Sequence, residues 1–71
     1  MTIAEIQKVL KSSFKNGFYL RRSSFVHLEV FVNKEGNVFH VIKDENGNIV
    51  KVQKTQFYPS EHLAEDWEIV L

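Results

Sequence analysis

Apolar and polar residues alternate from residue 26 to residue 33: Val26, Leu28, Val30 and Val32 interleave with His27, Glu29, Phe31 and Asn33. That period of two predicts a half-buried β-strand. Lys34-Glu35-Gly36-Asn37 supplies a turn and Val38–Lys43 returns as a second strand. Asn46-Gly47 then predicts a tight hairpin into a third strand, Ile49–Gln53, because a type I′ turn needs positive φ at both central residues. With the turns centred on Glu35-Gly36 and Asn46-Gly47, Val32 faces Phe39, Val30 faces Val41, and Val41 faces Val52. One face of this meander is then Leu28, Val30, Val32, Phe39, Val41, Val50 and Val52, a β-branched apolar surface suited to a core. The other mixes Phe31, Val38, Ile42 and Ile49 with His27, Glu29, His40, Lys51 and Gln53, and reads as a subunit interface or a ligand floor.

Ahead of the meander, Thr2-Ile3-Ala4-Glu5 fits a capping box, and Ile3, Ile6, Val9, Leu10 and Phe14 (or its neighbour Ser13) recur at helical spacing. This amphipathic helix, stopped at Asn16-Gly17, is the natural lid for the valine-rich face. Phe18–Arg22 reads as a short strand broken by Ser23-Ser24 before Phe25. Behind the meander, Thr55–Tyr58 is extended, Pro59-Ser60 opens a short helix with Ser60 as its cap, and Trp67–Leu71 alternates as a final strand. That strand is expected beside Phe18–Arg22 or beside the first meander strand, with Trp67 as a core anchor. The expected fold is α+β: an N-terminal helix on an antiparallel sheet of four to five strands with a β-meander core, and a short second helix before a C-terminal strand.

A chain of 71 residues is expected to form one domain, residues 1–71. It buries only about 60% of its unfolded surface. With no cysteine to staple it, a homo-oligomer, dimer or tetramer, is the expected remedy. The net charge of zero is unevenly spread: residues 1–34 carry six cations and two carboxylates, residues 35–71 three cations and seven carboxylates. The first half could therefore meet the second half of another copy, or hold an anion. No basic stripe of the kind nucleic-acid phosphates require is present. No apolar run approaches the roughly 20 residues that span a bilayer, and no leader-like segment opens the chain, so a cytoplasmic location and no membrane partner are expected.

The candidate chemistry lies in Arg21-Arg22-Ser23-Ser24-Phe25. Two guanidiniums, two hydroxyls and a ring suit a phosphorylated ligand, with Arg forks on phosphate and the ring on a base. The same residues also suit a structural role, with Phe25 plugging the core and the arginines pairing with carboxylates of the acidic half. His27, His40 and Glu29 are too few and too poorly paired for a metal site, and no cofactor is expected. Catalysis is disfavoured: there is no cysteine nucleophile, no glycine-rich phosphate loop and no compelling Ser-His-acid set.

The tail, Pro59-Ser60 followed by Leu63-Ala64-Glu65-Asp66-Trp67-Glu68-Ile69-Val70, resembles the closing signature of a family of small phage and prophage proteins, long filed as a domain of unknown function and associated with the second type of Thoeris anti-defence protein. Phe57-Tyr58 suits the aromatic position before the proline. Leu10-Lys11, Gly17, Arg21-Arg22 and the Ser23-Ser24-Phe25 junction resemble its front half, and Asp44–Ile49 its Asp-Gly hairpin. Phe25 stands where a Trp is usual, Ser24 where a Gly is usual, and the segment between Pro59 and Ala64 is shorter than typical. The resemblance implies an oligomeric sponge that sequesters cyclic nucleotide immune signals, of the glycosyl-cyclic ADP-ribose type or cyclic dinucleotides, without cleaving them. It implies that Arg21, Arg22, Ser23, Ser24 and Phe25 take phosphates and base, and that Asp66, with Glu68 or Tyr58, accepts ribose or base donors. The alternative is a small phage-encoded interaction module that binds and inhibits a host protein, which the mixed sheet face and surplus aromatics would also serve.

Overall fold

The computed structural model describes residues 1–25 and 28–70; the expectations placed on Val26, His27 and Leu71 lie outside the described residues. The elements run α1 (Ile3–Lys11), β1 (Gly17–Arg21), β2 (Leu28–Asn33), β3 (Val38–Lys43), β4 (Ile49–Thr55), α2 (Pro59–Leu63) and β5 (Glu68–Val70). The strands form one antiparallel sheet in the order β4-β3-β2-β1-β5, so the fold is α+β and the tail strand pairs with β1. Among the described residues no helix is long and apolar enough to cross a membrane.

α1 begins as the capping box dictates: Glu5 N–H donates to Thr2 Oγ1 (3.3 Å) and Thr2 N–H to Glu5 Oε1 (3.0 Å). It ends earlier than the apolar spacing suggests. Ser12 is the C-cap, its hydroxyl bonded to the Val9 and Lys8 carbonyls, and Phe14 is fully exposed beyond it. Asn16-Gly17 is therefore not the helix stop. Gly17 lies in β1 without positive φ.

The first hairpin corrects the expected register. Asn33 pairs with Asn37 around a three-residue loop in which Gly36, at φ +88°, takes the left-handed position. The Asn33 carboxamide oxygen selects this loop by accepting from Glu35 N–H (3.1 Å) and Asn37 N–H (2.9 Å). Phe31 consequently faces Phe39 and Val30 faces His40, one residue away from the expected pairing. A slip of one residue turns β3 over relative to β2. Phe39 and Val41 thus leave the helix side, and Val38, expected outside, joins the core. The second turn repeats the device: the Asp44 carboxylate accepts from Asn46 and Asn48 N–H, and Gly47 sits at φ +83°. There a bulge leaves Val50 unpaired and restores Val41 opposite Val52 as expected.

The core lies between α1 and one face of the sheet, where Ile3, Ile6 and Leu10 cover Phe18, Leu20, Val30, Val32 and Val38, with Trp67 closing one end. Each such buried side chain contributes about 1.5–3 kcal/mol. β4 is an edge strand outside this cover: Val50 and Val52, expected in the core, are 61% and 56% exposed.

Candidate functional site

At the end of β1 the chain reverses through Ser23-Ser24, closed by Phe25 N–H donating to the Arg22 carbonyl (3.0 Å). The reversal aims its side chains at the segment between α2 and β5. Arg22 Nε donates to Asp66 Oδ1 (2.9 Å) and Ser23 Oγ to Asp66 Oδ2 (3.0 Å), so one carboxylate clasps the turn. Arg22 also stands over the Trp67 ring, its Cζ 5.8 Å from the centroid.

Behind the clasp is an aromatic wall. Trp67, 1% exposed, is met nearly edge-on by Phe25 (5.6 Å between centroids, 86°) and by Phe57 (5.4 Å, 73°), and His62 meets Phe57 at 5.5 Å. Trp67 Nε1 donates to the Glu61 carbonyl (2.9 Å), which satisfies the buried indole and ties α2 to the tail. α2 itself starts at Pro59 with Tyr58 as its N-cap, two residues before the expected Ser60 cap. The Glu61 carboxylate closes it by accepting from Tyr58 N–H (2.9 Å).

Of the residues singled out from the sequence, Arg22, Phe25 and Asp66 come together here. Arg21 lies one position away in β1, opposite Glu68 in register and 3.5 Å from its carboxylate, an exposed pair of little energetic weight. Ser24 is exposed in the turn, and Tyr58 is exposed at the start of α2. Ser23, one of the two hydroxyls expected at the junction, belongs to the cluster, as do Phe57 and Trp67, which were not among the ligand candidates; the Asp66-Trp67 pairing in the tail was the available signal. Both arginines engage carboxylates of the acidic half, as the structural alternative expected. A phosphate would take Arg22 by exchanging for Asp66; the buried Trp67 offers no stacking face, whereas Phe25 and Phe57 are half-buried and Tyr58 is exposed. Among the described residues no three His, Asp or Glu side chains converge as a metal site.

Asp66 is held below the ordinary carboxylate range: partial burial pushes its pKa up, and the hydrogen bonds from Arg22 and Ser23 more than offset that. A folded pKa below the unfolded one means that the clasp stabilises fully above about pH 4 and loses its contribution as pH falls through the lowered value. Urea midpoints measured between pH 5 and 2 should therefore fall less steeply in Asp66→Asn than in the parent. Equal slopes would show that the carboxylate is not clasped in solution. Glu5, lowered by the Thr2 backbone N–H, supplies acid sensitivity common to both proteins.

Compared with family models, curated proteins and solved structures, the chain matches none of them.

Proposed function

We propose that this protein is a non-catalytic capture protein of phage or prophage origin, which binds a cyclic nucleotide signal in the host cytoplasm and withholds it intact. The observation that supports this reading is the convergence of the Arg22 guanidinium, the Ser23 hydroxyl, the Asp66 carboxylate and the Phe25 ring at one junction of turn and tail. These groups supply what a nucleotide asks of a binding site: a fork for phosphate, an acceptor for ribose or base donors, and an apolar ring. The Arg22–Asp66 pair acts as a stand-in for the complex. Ligand phosphate replaces the carboxylate on the guanidinium, and the freed carboxylate turns to ribose hydroxyls. Arg21 follows the alternation of β1 onto the face of Tyr19 and pairs there with Glu68, so Arg22 carries the phosphate.

Titration calorimetry with cyclic ADP-ribose isomers and cyclic dinucleotides tests this. Arg22→Ala and Phe25→Ala should each weaken uptake by at least tenfold while circular dichroism stays that of the parent; where Phe25→Ala unfolds, Phe25→Leu keeps the core filled and removes the ring. Variants that bind as the parent does would overturn the site. Uptake of none of these nucleotides by the parent would overturn the function and favour the alternative of docking on a host protein.

A further inference from the structure

The last turns of α1 and the first hairpin enclose a depression that the clasp does not use. It holds about 170 Å³ and is lined by Gln7, Leu10 and Lys11 of the helix and by Asn33, Lys34 and Gly36 of the hairpin. At about 30 Å³ per water, that is room for about five waters, or for a small tetrahedral anion that keeps part of its hydration. Lys34 is fixed at this place by two bonds: its backbone N–H donates to the Asn16 carbonyl (3.0 Å) and its ammonium to the Ser13 carbonyl. The ammonium keeps its other protons for a ligand. The Asn33 carboxamide oxygen is spent on Glu35 and Asn37 N–H, so what Asn33 has left to offer is its NH2 group. Lys11 adds a second ammonium and Gln7 a second amide. Every polar side chain around the depression therefore has a donor for an anion.

The charges here are not matched within the chain. Arg21, Arg22 and Lys43 each face a carboxylate, whereas among the described residues neither Lys11 nor Lys34 belongs to an ion pair. The two carboxylates of residues 1–34 are committed elsewhere, Glu5 to Thr2 at the other end of α1 and Glu29 to Lys43. Glu35, exposed in the hairpin loop, is one negative charge against four cations: Lys8 and Lys11 in the last turn of α1, and Lys15 and Lys34 beside it. The helix dipole accounts for Lys8 and Lys11. It does not account for a cation and an amide donor brought from the hairpin to the same depression. Phe14 stands fully exposed in the segment that Lys34 ties down, an apolar ring among the cations.

We propose that this depression is an anion site separate from the clasp, which takes the phosphoryl group of a phosphate monoester between the Lys11 and Lys34 ammoniums, with the Asn33 and Gln7 amides on its oxygens and Phe14 against its organic part. The monoester carries close to two negative charges at neutral pH, which two ammoniums match, and lysine meets phosphate as a point charge without needing a fork. A soluble organic phosphate and a lipid headgroup share this chemistry. The site does not depend on nucleotide capture. The clasp lies next to Met1, whose carbonyl accepts from Trp67 N–H (3.2 Å), at the opposite end of a nine-residue helix about 13 Å long.

Titration of isotope-labelled protein with inorganic phosphate and with phenyl phosphate, at fixed ionic strength and followed by amide correlation spectra, tests it. The side-chain amides of Gln7 and Asn33 and the backbone amides of Lys34 to Asn37 should shift and saturate, with a Kd of about a millimolar. Phenyl phosphate should bind the tighter of the two and also move Phe14. Lys11→Gln and Lys34→Gln should each weaken binding by about threefold to fivefold, as the loss of one exposed ion pair does. Lys8→Gln, outside the depression, and Arg22→Ala, at the clasp, should leave it unchanged. Where Lys34→Gln disturbs the hairpin, Lys11→Gln, at an exposed helix position, carries the test. Phosphatidylcholine vesicles containing phosphatidic acid separate the two sources. Co-sedimentation lost in both lysine variants identifies the headgroup, and saturable phenyl phosphate uptake without co-sedimentation identifies a soluble monoester. Shifts that do not saturate, that fall on the Arg22 turn alone, or that persist undiminished in both lysine variants overturn the site. Weakening by Lys8→Gln equal to that by Lys11→Gln overturns it in favour of a diffuse positive field.

Discussion

Trp67→Ala should lower the unfolding free energy by about 3–5 kcal/mol, the range for removing a large buried aromatic. The substitution removes the ring that Phe25 and Phe57 pack against, and orphans the Glu61 carbonyl that the indole N–H satisfies. It also removes the cation–π partner of Arg22. Since a small domain has little stability to spare, this loss should leave the variant largely unfolded at room temperature. Chemical denaturation followed by far-UV circular dichroism measures it. Trp67→Phe should recover most of the burial and lack the Glu61 hydrogen bond, placing it between parent and alanine. A midpoint for Trp67→Ala within about 1 kcal/mol of the parent would mean that the aromatic wall does not carry the tail.

Gly17→Ala should also be strongly destabilising, by about 1–3 kcal/mol or more, although it adds only a methyl group. A Cβ at Gly17 would lie 2.5 Å from Phe31 Cζ and closer still to the Val32 carbonyl oxygen. The Phe31 ring can swing, but the Val32 carbonyl belongs to the backbone of the neighbouring strand. Relief therefore requires β1 and β2 to part at Gly17 opposite Asn33. Gly36→Ala makes the informative comparison, because nothing lies within 4 Å of its Cβ position and only its φ of +88° resists. That substitution should lower stability by about 1–2 kcal/mol through backbone strain alone. Amide exchange separates the two mechanisms: Gly17→Ala should raise exchange along β1 and β2, and Gly36→Ala should raise it only in the hairpin loop.

The outline of the fold was legible because several independent signals agreed. The Thr2–Glu5 box, the alternation in β2, the two Gly-containing turns and the alternating tail each have one ready structural meaning, and the structure carries all of them. The faces of the sheet were not legible. β3 reads Val38-Phe39-His40-Val41-Ile42, and either parity presents two apolar residues, so hydrophobic pattern could not choose its register. The choice was made by Asn33 and Asp44, whose side chains bond backbone N–H groups two and four residues on and hold three-residue loops in place of two-residue ones. A bulge at Val50 then reset the second hairpin, a compensation without a sequence signature.

The candidate site was legible to a similar depth. Arg22, Phe25 and Asp66 were each marked by residue type, yet their meeting depends on β5 lying beside β1, which brings positions 44 residues apart into contact. Ser23 and Ser24 were marked alike, since only the geometry of the turn decides which hydroxyl faces the carboxylate. Trp67 belongs to the wall rather than to the ligand-facing surface, as expected of a buried indole with its N–H satisfied.

Capture without turnover is tested most directly by native mass spectrometry of the protein incubated with cyclic ADP-ribose isomers and cyclic dinucleotides, followed by denaturation and chromatography of whatever is released. The account predicts an adduct whose added mass equals that of one of these nucleotides, which disappears in Arg22→Ala, and release of that nucleotide unchanged. No adduct with any member of the panel, or release of an altered product, would contradict it.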